Sequence, residues 1–332
     1  MGRKILKNMD WGVLLCIVIL LTIGLVALFS ATQNSDYVEF KRQLIWLAVS
    51  IPIMIMLIFM DYKTISKISP ILYILILISL IAVLFTKSVN GATSWFTIGG
   101  ISIQPAEFAK IIVIIALATY ISRIQENGRD QISRPTRLLL ALLIVAVPVL
   151  LIIKQPDYGT ACTFVVATIF ILFSAGIKKR YIIAGILLTV IIIPTLYFFV
   201  LPEHAKTRID VFLNPNLDPR GAGYNVIQSK LAIGAGEFLG MGILKGNQTQ
   251  LGFLYPKSTD FIFAVIGEEM GFVVAATVII TYVILITKSI YIAKTAKDNL
   301  GSYIAIGIAG ILLFHFTENI GMTMGLLPIT GV

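Results

Sequence analysis

Three short stretches of the chain put ionisable side chains where an apolar run begins. In Gln104-Pro105-Ala106-Glu107-Phe108-Ala109-Lys110, the three-residue spacing sets a carboxylate and an ammonium on one helix face, and Pro105 suits the first turn. Such a pair either neutralises itself or has Glu107 holding Lys110 toward an anionic group in a wet cavity. In Lys154-Gln155-Pro156-Asp157-Tyr158-Gly159-Thr160, Asp157 either caps the following helix or contacts hydroxyls or a metal. In Tyr255-Pro256-Lys257-Ser258-Thr259-Asp260-Phe261-Ile262-Phe263, Asp260 stands at a helix start, where a carboxylate meets the helix dipole favourably. The same group can take a proton from a hydroxyl, general-base catalysis of about 10²–10⁴-fold. It can also hold a divalent cation, Mg²⁺ or Mn²⁺, alongside substrate phosphates.

Other polar residues interrupt apolar runs, and charge inside a membrane span marks function. Glu268 and Glu269 are adjacent, about 100° apart around a helix, which predicts that one faces the interior. His315, Glu318 and Asn319 form a patch in the last run. A His–Glu pair alone is a weak metal pattern, and hydrogen bonding between helices is the expected role. Trp95 and Phe96, between glycines, read either as an interfacial anchor or as part of a site. Cys16 and Cys162 lie in separate apolar runs and read as small hydrophobes, supporting neither a disulfide nor a metal site.

The elements that position these residues follow from composition. The 332 residues are 58% hydrophobic and 13% charged, with mean hydropathy +0.94. A soluble domain carries about 25% charged residues, so lipid must be the solvent. The expected fold is all-α: a polytopic transmembrane bundle forming one membrane domain over 1–332. Apolar runs near 11–31, 43–60, 70–86, 105–122, 137–153, 158–176, 181–201, 261–287 and 300–323 predict nine spans. The first run has no convincing cleavage site and reads as a span, not a signal peptide.

The net charge is +9. It falls in short clusters between spans, with no basic helix or binding module, which argues against a nucleic-acid partner. With the N-terminus cytoplasmic, the inner segments gather Arg3, Lys4 and Lys7, Lys63 and Lys67, Arg123, Arg129, Arg134 and Arg137, Lys178, Lys179 and Arg180, and Lys288, Lys294 and Lys297. The short outer segments hold only Lys41, Arg42, Lys87 and Lys154. This asymmetry is the positive-inside pattern. It places the loop 202–260 outside, rich in Gly, Pro and Asn but with apolar pieces at 226–234 and 238–244, and predicts that it packs over the outer mouth of the bundle. The chain then ends outside on Leu327-Pro328-Ile329-Thr330-Gly331-Val332, a turn that reads as an end cut short.

These motifs together resemble the SEDS family of cell-wall glycosyltransferases, whose members include RodA, FtsW and a sporulation homologue. The resemblance rests on Asn90-Gly91-Ala92 with Trp95, Gln-Pro-Ala-Glu-Phe-Ala-Lys at 104–110 and Gln-Pro-Asp-Tyr-Gly-Thr at 155–160. It continues in Phe212-Leu213-Asn214-Pro215 with Asp218-Pro219, in Gly223-Tyr224 with Gln228-Ser229, and in Ala232-Ile233-Gly234. Ser258-Thr259-Asp260-Phe261-Ile262-Phe263-Ala264 with Gly267-Glu268-Glu269, then Asn319-Ile320-Gly321-Met322 and Leu327-Pro328-Ile329-Thr330-Gly331, complete it in order along nearly the whole chain. Glu107-Phe108-Ala109-Lys110 and Gln248-Thr249-Gln250-Leu251-Gly252-Phe253-Leu254 look more like the elongation branch (RodA) than the division branch (FtsW).

The resemblance implies a peptidoglycan glycosyltransferase in the bacterial plasma membrane, with an extracytoplasmic site that polymerises lipid II and releases undecaprenyl pyrophosphate. It implies that Asp260 is the catalytic base. Lys110 and Arg208 are implied cations for the pyrophosphate, with Glu107, Trp95, Asp157, Gln250 and Thr259 as further substrate contacts. A divalent metal is an optional cofactor, and a class B penicillin-binding protein is the implied partner. The family has a tenth span after a Ser-Tyr-Gly-Gly turn, so nine of an implied ten are expected here. Three positions depart from its pattern: Ala235-Gly236-Glu237 where Ser-Gly-Gly is usual, Met241 where Lys is common, and Ser258 where His is frequent. The rival functions are a lipid II flippase and a non-catalytic scaffold for the transpeptidase. A flippase needs polar groups along a path through the membrane, whereas Asp157 and Asp260 are both expected at the outer surface.

Overall fold

A computed structural model describes residues 9–86, 93–98, 101–200, 206, 210–214, 217–218 and 222–328. Among these, the principal helices are α1 (Trp11–Ala31), α2 (Val38–Phe59), α3 (Tyr62–Val83), α4 (Pro105–Gln125), α5 (Pro135–Ile153), α6 (Tyr158–Ser174), α7 (Lys179–Thr195), α8 (Ala222–Ala235), α9 (Ile262–Thr295) and α10 (Asn299–Thr323). All but α8 fall on the predicted apolar runs. Seven are long and apolar enough to cross a membrane, while α6 and α7 have 17 residues each. The chain is a multi-pass, all-α membrane protein. Helices are the form its apolar runs must take, because lipid offers no partner for an unpaired backbone N–H or C=O. Their starts carry the expected signals. Asp10 accepts from the Gly12 and Val13 N–H groups, Asp61 accepts from that of Lys63, and prolines open α4 and α5. The loop before α4 adds a feature that composition did not announce, a short antiparallel ladder of β1 (Phe96–Ile98) and β2 (Ile101–Ile103).

The chain divides into two compact units. One comprises 1–59, 196–285 and 316–331; the other comprises 60–195, 286–315 and residue 332.

In the second unit, α4 is the central helix. Its Ala106, Ala109, Val113, Leu117, Ala118 and Ile121 are buried in one core with Ile76 and Leu80 of α3, Ile152 of α5 and Ile171 of α6. Residues 299–315 of α10 come close to this core because two glycines face it. A Cβ on Gly307 would lie 2.9 Å from side-chain carbons of Ile114 and Ile171, and one on Gly310 would lie 2.9 Å from the Ala167 Cα. Small residues on one face are what lets membrane helices approach this closely.

In the first unit, α9 is not one continuous rod. Gly271 adopts φ 76°, ψ −176°, breaking the ladder one turn beyond Gly267. Lipid-facing orphan groups at such a break would be untenable, and residues 236–246 supply the partners. Met241 and Gly242 donate N–H groups to the Glu268 and Glu269 carbonyls (2.9 and 3.0 Å), while the Phe272 and Val273 N–H groups donate to the Glu237 and Phe238 carbonyls (3.0 and 3.3 Å). This strap lies so close that a Cβ on Gly236 would run into the Gly267 carbonyl, and one on Gly240 into that of Glu269. The loop 202–260 is therefore not all a cover over the bundle. It contributes helix α8, and its next segment is hydrogen-bonded to residues well inside the α9 run.

Candidate functional site

The polar residues of the first unit separate into a closed group and an open one. Glu268 and Glu269 form the closed group, 0% and 2% exposed. Glu268 accepts from the Gln248 N–H (2.6 Å), the Thr249 N–H (2.9 Å) and the Thr249 hydroxyl (2.6 Å). Glu269 accepts from the Leu244 and Gly246 N–H groups (3.2 and 3.3 Å) and from Gln250 Nε2 (2.8 Å). Gln250 Nε2 also donates to Ser30 Oγ of α1 (3.0 Å), so this candidate contact ties α1 to α9. Both glutamates are interior, against the expectation of one. An unbroken helix presents adjacent residues to different neighbours, but the strap and the turn Asn247–Gln250 wrap far enough round α9 to reach both.

Asp260 belongs to the open group. It precedes α9, half-exposed, and its backbone carbonyl accepts from Asn319 Nδ2 at 3.2 Å. The next residue, Phe261, is fully buried. An anchored carbonyl on one side and a buried ring on the other fix where the carboxylate emerges, at the positive end of a helix dipole. Thr259 is exposed beside it. Lys257 donates from Nζ to the Thr249 carbonyl at 2.6 Å. Burial pushes its ammonium below the usual lysine range, against the opposing pull of Glu269 and Glu268.

The second unit holds the Glu107–Lys110 pair. Lys110 Nζ lies 2.8 Å from Glu107 Oε1, the spacing that an i, i+3 pair predicts. The two partners differ in exposure: the Lys110 side chain is 5% exposed and that of Glu107 is 54%. His315 Nε2 lies 2.8 Å from the same ammonium. Below Lys110 is a gap of about 10 Å³ lined by Val113, Leu117, Phe164, Thr168 and Ile311, room for about one water. Its walls are almost wholly apolar, so the ammonium finds its acceptors on the Glu107 and His315 side.

Asp157 confirms its capping role, accepting the Thr160 N–H at 3.1 Å, and its other oxygen accepts from Gln104 Nε2 at 2.7 Å. Since Gln104 precedes α4, this second bond links the turn before α6 to the helix that carries Glu107 and Lys110. Gln155, fully buried, accepts from Ser94 at its carbonyl and donates from Nε2 to the Leu80 carbonyl. Trp95 is exposed next to Ser94. Arg208 lies outside the described residues, as do Asn90, Gly91 and Ala92. The second unit thus gathers Trp95, Glu107, Lys110 and Asp157, and the first gathers Gln250, Thr259 and Asp260.

Sequence reasoning singled out His315 and Asn319 for helix-to-helix bonds but did not find their partners. A signal existed for His315. Lys110 lies five residues into α4 and His315 eight residues from the end of α10. At about 1.5 Å per residue, antiparallel spans place them at similar depth.

The comparisons with known proteins agree with one another. Residues 10–332 match the cell cycle protein family FtsW/RodA/SpoVE. The peptidoglycan glycosyltransferase MrdB of Escherichia coli K12 is 35% identical, the match covering 98% of this chain and 86% of that protein. Stage V sporulation protein E of Bacillus subtilis is also 35% identical, over 95% of this chain and 87% of its own. A chain from a solved peptidoglycan synthase complex, described as coordinating polymerization and crosslinking, superposes with a TM-score of 0.83 at 26% identity, covering 98% of this chain and 90% of that one. This chain belongs to the FtsW/RodA/SpoVE family of membrane proteins, the SEDS family that its motifs resemble.

Proposed function

We infer that the chain is a peptidoglycan glycosyltransferase of cell elongation that polymerises lipid II into glycan strands. The observation that carries the reading is the setting of Asp260, a half-exposed carboxylate at a helix start, held by Asn319 and by buried Phe261. Asp260 takes the proton from the 4-hydroxyl of the acceptor's N-acetylglucosamine as that oxygen attacks C1 of the donor's N-acetylmuramic acid. The bond from C1 to the pyrophosphate oxygen breaks, its electron pair leaves with undecaprenyl pyrophosphate, and the anomeric centre inverts. Negative charge grows on the leaving group, so a fixed cation lowers the barrier. Lys110 is that cation, with Arg208 as a second. Trp95 and Thr259, both exposed, contact substrate. Asp157 and Gln250, each hydrogen-bonded within the protein, serve the site by fixing Gln104 and Glu269.

A divalent cation fits this site only in one way. Among the described residues no three His, Cys, Asp or Glu side chains form a cluster able to hold a metal. Mg²⁺ or Mn²⁺ would therefore rest on Asp260 together with substrate phosphate oxygens, an arrangement usual for Mg²⁺, and would supply further charge neutralisation there. The positive-inside distribution supports a cytoplasmic N-terminus and an extracytoplasmic Asp260. A class B penicillin-binding protein is the proposed partner, consistent with the pairing of polymerization and crosslinking in the similar complex.

The test is polymerisation of labelled lipid II by the full chain with its transpeptidase partner, wild type against Asp260→Ala. Glycan strands from the wild type alone are expected. Strands from both, or from neither while lipid II moves between leaflets, would contradict the reading.

A further inference from the structure

We propose that His315 is a positioning residue for the reaction: its imidazole Nε2 holds the Lys110 ammonium in the orientation that meets the substrate's diphosphate. The proposal rests on the reading of Lys110 as the diphosphate cation and assigns to it a partner that the reading lacks.

The contact itself fixes the chemistry. A lysine ammonium has donors only, so at 2.8 Å the His315 Nε2 must offer its lone pair, which leaves the ring proton on Nδ1. A protonated imidazole has no lone pair to offer and would place a second cation against the first. From α4 the ring meets Lys110, whose ammonium also donates to Glu107, and Phe314 packs beside it at 6.3 Å between ring centroids. Glu107 is a half-exposed acceptor and so a poor sole anchor for a buried ammonium, whereas His315 approaches from a helix locked against the core by Gly307 and Gly310. Two N–H bonds of the ammonium are then fixed by two different helices, which leaves the third for an incoming anion. The near-apolar gap below Lys110 offers the side chain no comparable alternative.

A residue that acts through Lys110 makes three predictions that a packing residue does not. His315→Leu should lower kcat/KM for lipid II about tenfold, the size of one hydrogen bond to a charged group. In a Lys110→Met background the same change should cost almost nothing further, because the two act as a unit. His315→Gln, whose side-chain oxygen is an acceptor, should restore most of the activity. Purified full chain with its transpeptidase partner and labelled lipid II suffices, with thermal unfolding measured on each variant. Additive losses in the double variant, or equal losses for Leu and Gln, would each overturn the proposal. Should His315→Leu fail to fold, His315→Asn, whose shorter side chain falls short of the ammonium, takes its place in the same comparisons. If Lys110→Met itself retains wild-type kcat/KM, the reading of Lys110 fails and this inference falls with it. If Lys110→Met is crippled while the His315 variants are normal, only the inference falls.

Discussion

Glu268 with Glu269 in the first unit, and Glu107 with Lys110 and His315 in the second, both place charge within apolar helices, but they are completed differently. The glutamate pair is enclosed, and every partner described for its carboxylates comes from residues 244–250, the end of the strap and the turn that follows it. The lysine is enclosed, but its counterion is half-exposed and its other partner is the imidazole of His315. A buried charge surrounded by backbone, hydroxyl and amide donors stabilises one conformation of those donors. A buried cation with an exposed counterion keeps an attraction for anions that arrive later. Burial alone therefore does not mark function in this protein. What the burial is for is decided by whether the partners are non-titrating donors or titratable side chains.

Substitution at the strap should do the most damage. Gly240→Val puts a branched side chain at φ 84° against the Glu269 carbonyl, and should cost above about 4 kcal/mol. Loss of folded protein on detergent size exclusion is the expected outcome, and a folded, active variant would show that the strap is not tightly seated. Glu268→Gln is milder. It turns an amide donor or a weaker acceptor toward the Gln248 and Thr249 N–H groups, an unsatisfied-donor cost of about 1–3 kcal/mol. Thermal unfolding should register the loss, with kcat for the surviving folded fraction little changed. Lys110→Met should do the reverse. It should lower kcat by about 10²-fold, in line with removal of a charge-stabilising donor, and leave the unfolding temperature near that of the wild type.

The smallest effect is expected away from both clusters, where Asp298 sits between α9 and α10. Burial alone would raise its carboxyl, but the Gly301 N–H, the Tyr62 hydroxyl and Lys63 outweigh it and hold it below the usual carboxylate range. Its stabilising contribution is therefore complete above the unfolded-state value and is lost as pH falls through the lowered folded value. The Lys63 pair is solvent-exposed, 3.2 Å apart, so Asp298→Ala should cost less than about 1 kcal/mol near neutral pH. Unfolding followed from neutral to acid pH should show the variant and the wild type converging at the acid end.

Much of this was legible in the sequence, for reasons that vary by element. The nine apolar runs are legible because lipid enforces helix wherever such a run occurs. Asp157 as a cap and Glu107–Lys110 as an ion pair are legible because both are local, within three residues. The break at Gly271 is not, because a glycine inside an apolar run signals it no more strongly than Gly24 does in unbroken α1. Only the strap, about 30 residues earlier in the sequence, makes the break tolerable. The burial of both Glu268 and Glu269 follows from that same long-range pairing. The Lys110–His315 bond spans 205 positions, and depth matching narrows the partner without naming it. Asp260 was legible as a candidate from its place at a helix start, while its anchor at Asn319 needed the fold.

The claim that fold-holding and reacting carboxylates are separate groups is tested most directly by measuring unfolding temperature and lipid II polymerisation together on Asp260→Asn and Glu268→Gln. Asp260→Asn should keep the wild-type unfolding temperature and lose polymerisation by about 10²–10⁴-fold, whereas Glu268→Gln should lose stability and keep turnover in its folded fraction. Polymerisation by Asp260→Asn at the wild-type rate, or a stability loss in Asp260→Asn matching that of Glu268→Gln, would contradict the separation.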